Sequence, residues 1–271
     1  MEMLPLDILT DLLQDAVEFS QQGGEILRKY WGKLKDIQEK DFAGDLVTEA
    51  DKASEEVILG AIHKKHPKHD ILSEEAGKIT YEDHEFLWVV DPLDGTTNYT
   101  HQYPLVSVSI GLLYQGKPIV GVVYNPIYDE LFQAARGMGT MMNGHIVNVT
   151  KTSTLNKSLL ATGFAYDRQE NPETNYAEFC HLTHITQGVR RGGSAALDLA
   201  FVASGRLEGF WERGLKPWDM AAGVLLVQEA GGVVSDYDMS AWDINSGKIL
   251  ATNGHIHQII SGELQKKHPL P

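Results

Sequence analysis

The stretch Trp88-Val-Val-Asp91-Pro-Leu-Asp94-Gly-Thr-Thr97 has residue types and a spacing that suit cation chemistry. An apolar run delivers Asp91, Pro92 turns the chain, and Asp94 follows three residues after Asp91. Gly95 then lets the backbone approach a ligand closely. Two carboxylates on a stiff turn, with the Leu93 carbonyl between them, make an oxygen-only set for a hard cation. If Thr96 and Thr97 open a helix, their backbone N–H groups also suit a phosphate. The competing reading makes Asp94 a helix cap and Asp91 a turn former.

Three further acidic stretches share this character. Ile71-Leu-Ser73-Glu74-Glu75 ends an apolar segment in adjacent carboxylates, which repel unless a cation or a proton relieves them. In a solvated loop the same pair needs no such relief. Lys216-Pro-Trp218-Asp219-Met-Ala-Ala-Gly223 puts Asp219 at the head of a helix, as a cap or as a ligand at a sheet edge. Asp45-Leu-Val-Thr-Glu-Ala-Asp51 leads into another helix, with Lys40 ahead of it.

The elements that must position these residues are legible in the apolar spacing. Leu9, Leu12, Leu13, Ala16, Val17, Ile26, Leu27 and Tyr30 recur at helical intervals from Leu6 to Trp31, across Gly23-Gly24. A second helix spans Asp51 to about His66 and stops at Pro67. Ile71–Ser73 and Phe86–Val90 read as short strands. Val106, Val108 and Ile110 alternate with Ser107 and Ser109, and strands follow at 118–124 and 130–134. Asn143-Gly144 marks a hairpin. Beyond residue 150 the pattern alternates: strands near 158–162, 188–190, 208–211, 233–234 and 249–251, with helices near 172–185, 194–204 and 217–230. This alternation implies a second sheet covered by helices. We expect an N-terminal α+β lobe over 1–150 and a C-terminal α/β lobe over 151–271, forming one catalytic unit.

Bulk properties narrow the function classes. The 271 residues carry a formal charge of −14, from 37 acidic against 23 basic residues. This argues against a protein that holds nucleic acid by neutralising phosphates. Cys180 is the single cysteine, so neither an intrachain disulfide nor a thiolate zinc site is available. It reads as a packing residue on a helix. No apolar run approaches the ~18 residues of a membrane span, and no basic-then-apolar leader pattern opens the chain. A cytoplasmic protein without a membrane or nucleic-acid partner is the expectation.

Asp91-Pro-Leu-Asp-Gly-Thr96 and Trp218-Asp-Met-Ala-Ala-Gly223 resemble the two signature motifs of the inositol monophosphatase family. Asp45-Leu-Val-Thr and Asp51, Ser73-Glu-Glu75, Pro104-Leu-Val-Ser-Val-Ser-Ile-Gly111 and Glu229-Ala-Gly-Gly-Val233 extend the likeness over nearly the whole chain, in order. The resemblance implies a five-layer αβαβα sandwich of the sugar-phosphatase type (inositol monophosphatase and fructose-1,6-bisphosphatase). It implies Mg2+, two to three ions per site, held by Glu74, Asp91, the Leu93 carbonyl, Asp94 and Asp219. Isoleucine often stands where Leu93 does, and a backbone ligand tolerates that change. By the same likeness Asp51 and Thr96, with Glu74, orient and activate the attacking water. Glu75 stands behind the ligands near a weaker third cation, and Lys40 compensates the acidic cluster. Gly95 and Thr96 hold phosphate, while Gly193, Ser194, Ala195, Glu212 and Asp219 contact the substrate.

The implied activity is hydrolysis of a small polyol phosphate, inositol monophosphate first, with sensitivity to lithium and a homodimeric assembly. Fructose 1,6-bisphosphate, a 3′-phosphoadenosine nucleotide and NADP are the alternative substrates. A role as a binding partner of the transcription machinery is the alternative outside enzymology. Three features are set aside. His63-Lys-Lys-His66-Pro-Lys-His69 reads as a solvated helix tail rather than a metal cluster. The loop from Gly137 to Gly144 enters a hairpin and no Walker lysine follows it. Arg190-Arg191 suits an ion pair as well as a substrate contact.

Overall fold

The computed structural model describes residues 4–40, 42 and 44–266. The first apolar period gives α1 (Leu6–Tyr30), which runs unbroken through Gly23-Gly24 and buries Leu9, Leu12, Leu13, Ala16, Phe19 and Leu27. A ribbon of β1 (Ile37–Glu39) and β2 (Leu46–Thr48) leads into α2 (Glu49–Lys65). The Thr48 side chain accepts from Ala50 N and Asp51 N, and Asp51 reaches back to Thr48 N, closing a capping box. Next come β3 (His69–Ser73), β4 (Gly77–Ile79), β5 (Asp83–Asp94), the single turn α3 (Thr96–Thr100), β6 (Ser107–Tyr114), β7 (Lys117–Asn125), β8 (Glu130–Ala135), β9 (Thr140–Met142) and β10 (His145–Val147). The second half holds β11 (Leu159–Thr162), α4 (Tyr176–Ile185), β12 (Gly188–Arg190), α5 (Ala195–Ala203), β13 (Gly209–Arg213), α6 (Pro217–Glu229), β14 (Val233–Ser235), β15 (Lys248–Thr252) and α7 (His257–Leu264).

Two sheets result, ordered β10-β9-β8-β7-β6-β5-β3-β4 and β12-β11-β13-β15-β14. Helices α1 and α2 cover the outer face of the larger sheet, and α4 and α7 that of the smaller. Helices α5 and α6 lie between the sheets. They are apolar nearly all round: Met220 through Val227 are all buried, as are Ala196 through Ala200, with Asp198 the one charged side chain in these two runs. A helix without a polar face needs cover all round, and two sheets supply it. The layers therefore run αβαβα, as expected.

A pair of glycines sets the spacing of the inner layer. Gly111 and Gly121 lie opposite each other across β6 and β7. A Cβ on Gly111 would stand 2.7 Å from Ala221 Cβ, and one on Gly121 would stand 2.5 Å from the Ala222 carbonyl oxygen. Helix α6 thus lies in a notch that only glycine leaves open.

Several expectations need correction. Although serines alternate with apolar residues from Val106 to Ile110, β6 is buried from Ser107 to Leu113, because helices cover both its sides. Cys180 is exposed rather than packed. Helix α4 begins at Tyr176, not near Pro172, because Asn175 takes a left-handed conformation (φ 67) and turns inward. There it donates to Thr162 Oγ1 and the Gly163 carbonyl and accepts from Trp211 Nε1 at 2.6 Å.

The histidine tail is solvated only in part: His63, Lys64, Lys65 and Lys68 are exposed, while His66 and His69 are half-buried. His66 stacks on His69 with ring centroids 4.7 Å apart, and His69 stacks on Phe86 at 4.5 Å. His69 Nδ1 accepts from Trp88 Nε1 at 3.1 Å, while His66 Nε2 pairs with Asp15 at 2.8 Å. Proline ends the helix, but the imidazoles then tie α1 and α2 to the sheet. No described helix is long and apolar enough to cross a membrane.

Candidate active site

Strand β5 carries the first acidic pair, and its pairing with β6 slips between Asp91 and Asp94, around Pro92. Leu93 N donates to Asp91 Oδ1 at 3.0 Å, which fixes the turn. Gly95, at φ 92, starts α3, and a Cβ there would crowd the carbonyls of Leu105 and Gly193 at 3.0 and 3.1 Å. Asp94 therefore does not cap the helix that follows it. Its Oδ2 instead crosses to the second half of the chain, accepting from Ser194 Oγ at 2.5 Å and Ala196 N at 2.8 Å. Ser107 Oγ also reaches it, at 3.4 Å.

Asp219 is the third residue of α6, and its Oδ2 accepts from Lys216 N at 2.6 Å. Asp219 thus braces the helix start from its third position rather than as the cap, which is Lys216, and it also joins the acidic cluster. Ser109 Oγ donates to the Trp218 carbonyl at 3.1 Å and fastens the helix start to β6. Asp91, Asp94 and Asp219 each offer an oxygen, and these oxygens lie within 4.8 Å of one another.

The remaining acids close the cavity from the β3 side. Lys40 Nζ donates to Glu74 Oε1 at 2.8 Å and to the Glu75 carboxylate, so this pair is bridged rather than loose in solvent. Asp51, buried, accepts at Oδ2 from Thr48 Oγ1 at 2.5 Å and at Oδ1 from Thr96 Oγ1 at 3.0 Å. Thr96 Oγ1 also lies 3.1 Å from the Leu93 carbonyl. Glu74, Asp91, Leu93, Asp94, Gly95, Thr96, Gly193, Ser194, Ala195, Glu212 and Asp219 line one cavity.

Burial dominates the electrostatics. It pushes Asp91 well above the ordinary carboxylate range, reinforced by Glu74, Asp94 and Asp219. Asp219 is raised well above it too, by burial and then by Asp94. Burial also raises Asp94, against the hydrogen bonds from Ser194 and Ala196 that favour its charge. Glu74 is pushed up to about 7 by burial although Lys40 opposes it, and Asp51 to about 6 by burial although Thr48 opposes it. Glu212 rises to about 8 through burial and then Asp198, with Arg191 pulling the other way. Carboxylates gathered this closely favour either protons or cations between them.

The Inositol monophosphatase family pattern matches residues 9–268. The chain belongs to the inositol monophosphatase family. An inositol-1-monophosphatase of Synechocystis sp. is 55% identical over 260 residues, covering 96% of this chain and 90% of that protein. The Nus factor SuhB of Escherichia coli is 41% identical over 247 residues, covering 90% of this chain and 92% of its own. An inositol monophosphatase structure from Anabaena (Nostoc) sp. superposes with a TM-score of 0.89 at 54% identity, covering 97% of this chain and 98% of that one. The family is one of metal-dependent phosphatases, and the acidic cluster of this member can bind metal.

Sequence reasoning missed part of this family member's cavity wall. Gly163, Phe164, Tyr166 and Asp198 also line it, as does Arg191, for which the sequence left a substrate contact and an ion pair both open. Asp198 lies one helical turn beyond Ser194, close enough in sequence to be found, but its apolar neighbours read as packing. Arg213 does not pair with Glu212. It reaches Asp167 at 2.7 Å and the Glu173 carbonyl instead. Arg191 forms no ion pair among the described residues.

Proposed function

We propose that this protein hydrolyses inositol monophosphate, or a closely related polyol phosphate, with Mg2+ held by Glu74, Asp91, the Leu93 carbonyl, Asp94 and Asp219. The observation that carries the reading is the meeting of Asp91 and Asp94, from the end of β5, with Asp219, from the start of α6. Oxygens that converge within 4.8 Å from the buried Asp91 and Asp94 and the half-buried Asp219, all mutually repelling, fit a hard divalent cation, and no histidine or cysteine stands among them. Two to three ions are the expected load, with Glu75 behind the ligands beside a weaker third position. When bound, the cations supply positive charge to the phosphoryl oxygens and the departing alkoxide.

The chain's own groups then have distinct tasks. Thr96 Oγ1, its proton directed to Asp51 Oδ1, presents a lone pair that accepts from the attacking water. Asp51, pushed up to about 6, is poised to take the proton passed along that bond. Gly95 and Thr96 line the cavity, and their backbone N–H groups would hold the phosphoryl group. Ser194 and Ala196 brace Asp94, while Gly193, Ser194, Ala195 and Glu212 face the alcohol side. Lys40 holds Glu74 and Glu75 in place and offsets part of their charge. The family's homodimer is the proposed assembly.

Phosphate release from inositol 1-phosphate, fructose 1,6-bisphosphate, 3′-phosphoadenosine 5′-phosphate and NADP tests the reading. We expect the inositol ester to lead, chelation to abolish turnover, and lithium to inhibit it. Glu212→Ala should weaken hydrolysis of inositol 1-phosphate about 10- to 150-fold, the worth of one charge-assisted hydrogen bond. An aryl phosphate, lacking the hydroxyl, should lose much less. Turnover that survives exhaustive chelation sinks the metal reading. The relatives named Nus factor SuhB support a second reading, binding within the transcription machinery. The full acidic set in this chain favours catalysis, since a binding surface has no need of it.

A further inference from the structure

Asp198 is a buried carboxylate that the proposed chemistry leaves unused. It sits in the first turn of α5, is 4% exposed, and lines the same cavity as Glu212 and Arg191. Among the described residues no hydrogen bond or ion pair reaches either of its oxygens, although buried carboxylates are ordinarily satisfied. The neighbouring backbone is cleared for it. A Cβ on Gly192 would stand 2.6 Å from Asp198 Oδ1 and 3.1 Å from Oδ2. Gly163 plays the same part for Glu212, whose carboxylate a Cβ there would overlap. Two carboxylates thus lie on two bare glycine backbones in one wall, near enough to act on each other. Neither glycine is at positive φ, so clearance rather than backbone conformation asks for glycine here.

Facing the cavity, these free acceptors are open to donors from a ligand. A carboxylate offers about four lone-pair sites and no donor, so an adjacent pair matches a group presenting several O–H donors. A cation between them would meet Arg191, which lines the same wall. Resting on the phosphatase reading above, we propose that Asp198 joins Glu212 as a second hydroxyl-reading carboxylate. The two together would select a phosphate ester whose alcohol carries at least two neighbouring hydroxyls. In this role Asp198 is a specificity-determining residue that touches the alcohol. A site built to pair with hydroxyls strongly rejects an analogue that lacks them.

The test compares inositol 1-phosphate with 4-nitrophenyl phosphate at saturating Mg2+, in wild type, Asp198→Ala and Asp198→Asn. For Asp198→Ala we expect kcat/KM on inositol 1-phosphate to fall at least about 10-fold more than on the aryl ester, the loss residing in KM. Asp198→Asn, which keeps one acceptor, should recover part of the difference, and its ratio decides the question if the alanine variant does not fold. Equal losses on both esters, or an unchanged ratio, overturn the inference. A changed Mg2+ requirement with an unchanged ratio also overturns it, assigning Asp198 to the cations instead. A wild type without preference for the polyol ester overturns the functional reading itself, and so the two failures are told apart.

Discussion

Replacing Gly121 by alanine tests whether the sheet notch positions the catalytic cluster. The added Cβ would stand 2.5 Å from the Ala222 carbonyl oxygen and 3.1 Å from its C and Cα. All three contacts are with backbone, so no side-chain rotation relieves them. Ordinary contact begins at 3.4 Å, and the shortfall of about 0.9 Å must be met by moving α6 off the sheet. Overpacking of this kind costs about 1–3 kcal/mol of stability. Asp219 rides on the same helix, one turn before Ala222, and must keep its oxygen within 4.8 Å of those on Asp91 and Asp94. A misplacement of ~1 Å costs about 10²-fold in rate, or roughly 2.7 kcal/mol of transition-state stabilisation. The assay pairs thermal denaturation in chelator with kcat/KM measured across a Mg2+ titration. Gly60→Ala is the reference, because Gly60 lies in α2 with nothing within 4 Å of the new Cβ. It should stabilise by about 0.5–1 kcal/mol and leave the Mg2+ titration as it was. A Gly121→Ala protein with wild-type kcat/KM and an unaltered Mg2+ requirement would refute the argument.

Asp94→Asn should lower kcat at least ~10³-fold, roughly 4 kcal/mol, while the melting temperature in chelator does not fall. The amide oxygen can still accept from Ala196 N, and one buried negative charge is gone from the cluster; near-normal kcat would reduce Asp94 to a brace for α5. The stacked histidines predict acid sensitivity. Burial, then His66, lowers His69 to about 4, so the unfolded chain binds its proton first and stability is lost as pH falls from about 6.5 towards 4. Between pH 7 and pH 5 this amounts to about 1 kcal/mol after allowing for the ring's partial exposure. His69→Phe should flatten the melting-temperature slope over that interval in chelator, and an undiminished slope would assign the effect elsewhere.

Much of the fold was legible because apolar spacing along a chain is a local property. Helix α1, the strand end at Ser73, the strand core Phe86–Val90 and the hairpin at Asn143-Gly144 all follow from neighbours a few residues apart. Local reading failed where long-range contacts took over. Periodicity cannot tell a strand covered on one face from β6, which helices cover on both. Nor can it show that the imidazoles beyond α2 meet Asp15, Trp88 and Phe86. The buried Asn175 that delays α4 gave no local sign, because its partners Thr162 and Trp211 lie 13 and 36 positions away.

The sequence by itself determined the acidic inventory and its grouping. Asp91 with Asp94, Glu74 with Glu75, and Asp219 before Ala-Ala-Gly223 each stand on a short element whose end is written in its own residues. Only the tertiary structure decided which atoms meet. It turned Asp94 away from its own helix towards Ser194 and Ala196, 100 and 102 positions on, and set Lys40 between Glu74 and Glu75. It also left Asp198 facing the cavity with no partner of its own among the described residues. A carboxylate's identity is fixed by one codon's worth of chain, but its desolvation and its hydrogen bonds depend on segments that only packing brings together.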